Sequence, residues 1–96
     1  MHGSAEILEF LRLHRRHFEE NYSVRRIGLF GSVLRGTAGD TSDVDILVEF
    51  STPTFDNYMD LKFFLEENIK MPVDLVLADS LKNRLKPIIL REVLYT

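Results

Sequence analysis

Two aspartates one residue apart, Asp43 and Asp45, stand at the entry to the apolar run Val44 to Phe50. If that run is a strand, side chains two apart share a face, so the two carboxylates lie side by side. Like charges that close repel, and one proton affinity is pushed up. A divalent cation removes the conflict. Magnesium takes one or two carboxylates and completes its shell with phosphate oxygens and water. A third acid, Asp74, sits alone in the run Val73 to Leu77. A lone carboxylate in an apolar strand is costly unless it is paired, metal-bound or at an exposed strand end. With this strand beside the other, Asp74 joins the pair. Three carboxylates could then hold two cations, one on an attacking oxygen and one on the phosphates of a leaving group.

A second group lies upstream, in Phe30-Gly31-Ser32-Val33-Leu34-Arg35-Gly36. A glycine directly after a strand lets the backbone approach a ligand closely. The turn that follows would offer backbone N–H groups at a helix start, which suits phosphate, and the Ser32 hydroxyl adds a donor. Arg35 could reach a phosphate or pair with an acid. Singly, each piece is ordinary: Asp-x-Asp is common on surfaces and in turns, and Gly-Ser is a common turn. The combination is more specific. Gly31 precedes Asp43 by 12 positions and Asp74 follows Asp45 by 29. Those separations fit one turn plus loop and one helix, which return the chain to the same edge of one sheet. A phosphate cradle facing a carboxylate cluster suits phosphoryl or nucleotidyl transfer, where catalysis is largely positioning and charge neutralisation.

The elements that must position these groups are legible in the apolar spacing. Ser4 can cap a helix from about Ala5 to Asn21, with Ile7, Leu8, Leu11 and Phe18 on one stripe and Phe10 and Leu13 widening it. Val24 to Phe30 reads as a strand, although Arg25 and Arg26 interrupt it. Val33 to Gly36 makes one helical turn, and Thr37 to Ser42 is a loop. Val44 to Phe50 is the clearest strand, ended by Ser51-Thr52-Pro53. Thr54 to Asn68 is an amphipathic helix carrying Phe55, Tyr58, Leu61, Phe64 and Leu65. Phe55, Tyr58, Phe63 and Phe64 are expected in the core, with Phe63 off the main stripe and a possible contact residue. Val73 to Leu77 is a third strand. Asp79 or Ser80 caps a helix through Lys86, interrupted by Pro87. Ile88 to Tyr95 reads as a short helix, a final strand, or one after the other. The expected fold is a small α/β or α+β domain, residues 1–96, with a mixed sheet of three to four strands and helices mainly on one face.

The chain has 96 residues, 45% hydrophobic and 28% charged, a formal net charge of −3 and no cysteine. That composition is globular. Without cysteine, disulfide scaffolds, thiolate zinc sites and cysteine nucleophiles are excluded. The charge argues against coating nucleic acid, so direct nucleic-acid binding is not expected. No apolar run approaches the roughly 18 residues of a membrane span and no secretion signal is evident, so a cytoplasmic protein is expected. Arg12, His14, Arg15, Arg16 and His17 form a basic run on the first helix. His14 and His17 have metal-like spacing, but the adjoining cations argue against a metal. A solvated face is the expected reading, with a docking or RNA-contact patch the alternative.

Gly31-Ser32, Arg35-Gly36, Ser42-Asp43-x-Asp45 and a later strand aspartate together resemble the nucleotidyltransferase superfamily with the DNA polymerase beta palm fold. The short length and the run Leu29-Phe30-Gly31-Ser32-Val33-Leu34-Arg35-Gly36 resemble its smallest branch, the minimal nucleotidyltransferases. The resemblance covers Ile27 to Tyr95. It implies that Asp43, Asp45 and Asp74 are catalytic metal ligands, Asp74 also a possible base, and that Gly31 and Ser32 contact a triphosphate, with Arg35 nearby. It implies ATP as substrate and two magnesium ions. Many members of this branch are antitoxins that transfer AMP to a tyrosine of a HEPN-domain ribonuclease toxin. A HEPN-type protein partner is therefore the leading expectation. The alternatives are a module that neutralises its partner by occlusion, or an orphan transferase acting on RNA or a small molecule. At this length the acceptor is expected to bring its own surface.

Overall fold

The structure, a computed structural model, describes residues 3–39 and 43–96. Helices α1 (Ser4–Leu13) and α2 (Arg15–Tyr22) lead into β1 (Val24–Phe30), the short helix α3 (Gly31–Arg35) and β2 (Val44–Phe50). Helix α4 (Phe55–Ile69) connects to β3 (Val73–Leu77). A 3-10 turn, Ala78–Ser80, precedes α5 (Lys86–Glu92) and β4 (Leu94–Tyr95). The four strands form one mixed sheet in the order β3-β2-β1-β4, with β2 and β3 parallel and the other pairs antiparallel.

The alternation of each strand decides the two faces. Val44, Ile46 and Val48 point to the side covered by α1, α2 and α4, as do Val73 and Leu75. There they meet Ile7, Leu11, Phe18, Leu61, Leu65 and Ile69, all fully buried. Burying a side chain such as Phe18 contributes about 1.5–3 kcal/mol. The interruption at Arg25 and Arg26 is a β-bulge: the register with β2 shifts between Val24 and Arg26. The extra residue lets Val24 and Ile27, three apart, both enter the core while both arginines stay exposed. Among the described residues the opposite face carries a smaller cluster, around Phe30, Leu47, Ala78 and Val93. Under that thinner cover Asp74, near the start of β3, is exposed.

Several local expectations change. The first helix is divided at His14, whose Nδ1 lies 2.9 Å from the Phe10 carbonyl oxygen. Gly3, not Ser4, is its N-cap residue. His14 and His17 do not sit on a solvated face. Their rings pack on Phe64, with centroids 5.7 and 4.8 Å away. The charged part of that run is solvated, and Arg12, Arg15 and Arg16 pair with Glu9, Glu19 and Glu20 on the same surface. Phe55, expected in the core, is 76% exposed because it is the first residue of α4, at the sheet margin. Pro87 starts a helix rather than interrupting one. Its missing N–H costs nothing in the first turn, and its fixed φ suits a helix start. Part of the Thr37 to Ser42 loop, residues 40–42, lies outside the described residues. Among the described residues no helix is long and apolar enough to cross a membrane.

Candidate active site

The parallel register of β2 and β3 sets Asp45 directly beside Asp74. Both belong to the alternation that faces away from α1, α2 and α4, so both carboxylates project from the open face of the sheet. Asp45 is half-buried and Asp74 is exposed. Burial raises the Asp45 pKa above the ordinary carboxylate value. The charges of Asp74 and Asp43 and a hydrogen bond shared with Asp74 raise it further, against a smaller opposing effect of Arg35. Asp43 is exposed and lies just before β2. The structure thus brings Asp45 and Asp74 together, with the charge of Asp43 felt at Asp45, whereas the three-acid cluster expected from the sequence is not gathered around one point among the described residues.

Strand β3 is an edge strand, so its outward backbone groups need partners. Helix α4 supplies them. The Tyr58 hydroxyl donates to the Leu75 carbonyl oxygen at 2.6 Å, and Glu66 Oε2 accepts from the Val73 amide at 2.9 Å. These two bonds bracket Asp74 and fix the stretch of strand that carries it. Helix α4 is itself anchored at its start by Thr54, whose side chain accepts from the Asn57 amide at 3.1 Å.

Gly31, the first residue of α3, closes the site just beyond the end of β1. Its φ is +79°, in the region that only glycine enters without strain. A Cβ there would collide with the Asp45 carboxylate and lie 2.8 Å from its Cγ. Glycine is thus required twice at this position, by conformation and by the closeness of Asp45. Ser32 follows it, half-buried in α3, with its carbonyl oxygen accepting from the Thr37 amide at 3.0 Å. Arg35 leaves the end of α3. Of the two roles open to it from sequence, the structure displays the acid partner: its Nη1 donates to Glu92 Oε1 at 2.6 Å. The Gly31 amide donates to the same oxygen at 2.8 Å. Glu92, Tyr58 and Glu66 were absent from the sequence expectation. Each acts through a partner 7 to 61 positions away, and no local pattern marks such a contact.

The donor set suits a hard divalent cation. It consists of carboxylate oxygens, those of Asp45 and Asp74 on one face of the sheet, in a chain with no thiol. Burial raises the proton affinity of Asp45 most, and the charges of Asp74 and Asp43 add to it; a bound cation would offset that neighbouring charge. Among the described residues no three acidic or imidazole side chains already surround one point. The preassembled unit is the Asp45–Asp74 pair, with the charge of Asp43 beside it.

Residues 11–96 match the model of the nucleotidyltransferase domain family. The protein adenylyltransferase MntA of Thermococcus cleftensis is 43% identical over 91 residues, spanning 94% of this chain and 92% of the relative. A solved structure described as a minimal nucleotidyltransferase has a TM-score of 0.74 at 36% identity, over 96% of this chain and 98% of that one. One chain of the Shewanella oneidensis complex between a tri-AMPylated HEPN toxin and MNT antitoxin shares the fold. Its TM-score is 0.62 at 22% identity, over 95% of this chain and 68% of that one.

Proposed function

The chain belongs to the nucleotidyltransferase domain family, and we propose that it transfers AMP from ATP, with magnesium, to a tyrosine hydroxyl of a protein partner. The partner we infer is a HEPN ribonuclease toxin, which the transfer silences, so that this chain acts as its antitoxin. The observation that carries the reading is the Asp45–Asp74 pair, set side by side by the β2–β3 register and closed over by Gly31. The name of the 43% identical relative supports protein adenylylation, and the fold shared with the toxin–antitoxin complex supports the class of partner.

In this reading Asp43, Asp45 and Asp74 hold magnesium, which when bound neutralises charge on the phosphates and on the attacking oxygen. The acceptor oxygen attacks the α-phosphorus, its new P–O bond replaces the bond to the bridging oxygen, and pyrophosphate leaves. Asp74 takes the hydroxyl proton on a carboxylate oxygen. Its exposure suits it to meet a macromolecular acceptor, whereas half-buried Asp45 is better placed to hold a fixed geometry. Ser32 and Arg35 face the triphosphate from the α3 side. Gly31 keeps the backbone close enough for the two sides to meet.

The test is to combine the protein, a HEPN-type partner and magnesium-ATP, and to read the partner's mass. Increments of AMP on the partner are expected. The double variant Asp43→Asn with Asp45→Asn should remain folded and abolish them. Persistent transfer by that variant would sink the metal assignment. Neutralisation of the partner without any mass increment would instead point to occlusion, and label appearing on RNA alone to an orphan transferase.

A further inference from the structure

Glu92 is the last residue of α5, and one of its oxygens, Oε1, accepts from both the Gly31 amide at 2.8 Å and Arg35 Nη1 at 2.6 Å. A carboxylate at a helix C-terminus faces the negative end of the helix dipole, so its own helix does not favour it there. What holds it is the amide and the cation across from it. Its side chain is 22% exposed, against 54% for Arg35, so the bond is partly shielded from water at the Glu92 end. Hydrogen bonds of this charged kind are short and about twice as strong as neutral ones.

Building on the adenylyltransferase reading above, we propose that Glu92 is a positioning residue that aims Arg35 at the triphosphate. The guanidinium fork has five N–H donors. Committing Nη1 to Glu92 fixes the plane of the fork and leaves Nε and Nη2 for phosphate oxygens. The same contact pins the Gly31 turn against Asp45. It also keeps the cation off the acids: Arg35 already acts on Asp45 through space. Released from Glu92, the guanidinium would turn toward Asp45 and Asp74 and compete for the oxygens the reaction needs. Gly31 then contributes by lacking a Cβ, and its N–H serves Glu92 rather than a phosphate.

The experiment measures Mg-ATP binding calorimetrically, without partner, and KM and kcat for AMP transfer with partner. The proteins are the wild type, Glu92→Ala, Glu92→Gln, Arg35→Ala, and Arg35→Ala combined with each of the two Glu92 variants. Losing the contact should weaken ATP binding about tenfold, with KM rising in step and kcat changing less. Glu92→Gln, whose amide oxygen still accepts from both donors, should recover part of the loss. In the Arg35→Ala background, Glu92→Ala should cost clearly less than it does in the wild type, because only the Gly31 amide is left for it to hold. Unchanged or tighter binding in Glu92→Ala, no recovery in Glu92→Gln, or the full loss repeated without Arg35 would each overturn the proposal. Should Glu92→Ala not fold, Glu92→Gln carries the comparison: weaker binding that disappears in the Arg35→Ala background supports it, and wild-type affinity overturns it. A wild type that binds no ATP overturns this inference together with the adenylyltransferase reading. A wild type that binds ATP while Glu92→Ala is unaffected overturns this inference alone.

Discussion

Gly31 and Gly36 offer a matched pair of perturbations five residues apart. Both have positive φ, +79° and +76°. Replacing either with alanine forces an L side chain into the left-handed region, at ~1–2 kcal/mol. For a chain of this size each kcal/mol lowers Tm by roughly 4–8 °C. The difference between them is what the new methyl meets. At Gly36 no atom of the described residues lies within 4 Å of the added methyl, so strain is the effect expected there. At Gly31 the methyl collides with the Asp45 carboxylate. For the collision to clear, that carboxylate must retreat by about 1 Å, a displacement that costs on the order of 100-fold in rate at a catalytic centre. Gly36→Ala should therefore lose stability and keep most AMP transfer. Gly31→Ala should lose at least as much stability, and about two orders of magnitude of transfer. Thermal denaturation and a single-turnover transfer assay, both run well below either Tm, measure the two quantities separately. Equal activity in the two variants would refute the claim that Gly31 is selected by its contact with Asp45.

The pH dependence of the metal-free protein offers another check. Burial and the neighbouring Asp74 and Asp43 raise the Asp45 pKa, so the fold binds this proton more tightly than the unfolded chain does. The resulting stability is fully present below the ordinary carboxylate pKa and is lost as pH rises through the raised one. In EDTA, Asp45→Asn should be more stable than wild type at neutral pH, with the gap closing as pH falls toward 4 on the scale of ordinary carboxylates. Parallel Tm profiles would contradict this. Tyr58→Phe removes the 2.6 Å bond to the Leu75 carbonyl and should cost about 1 kcal/mol. Faster amide exchange confined to β3 would be its signature, and uniform exchange across the sheet would argue against it.

Much of this protein was written locally. The two-residue period of Val44 to Phe50 puts Asp45 on the face away from the helices, and the same period in Val73 to Leu77 puts Asp74 opposite Val73 and Leu75. The length of α4 returns the chain for a parallel neighbour. Those features depend on backbone geometry within a few residues, so a sequence displays them. Tertiary structure decided what depends on where distant elements land. It chose the register that sets Asp45 against Asp74 and turned the ambiguous Ile88 to Tyr95 segment into the end of α5 followed by β4. It left Phe55 outside the core and drew His14 and His17 onto Phe64. It also brought Glu92 across to Gly31 and Arg35. A single glutamate beside a basic residue near the end of the chain has no periodicity to betray it. Its role exists only once the sheet has ordered itself β3-β2-β1-β4 and carried α5 back over the open face, where an amide and a guanidinium offset the charge that its own helix end repels.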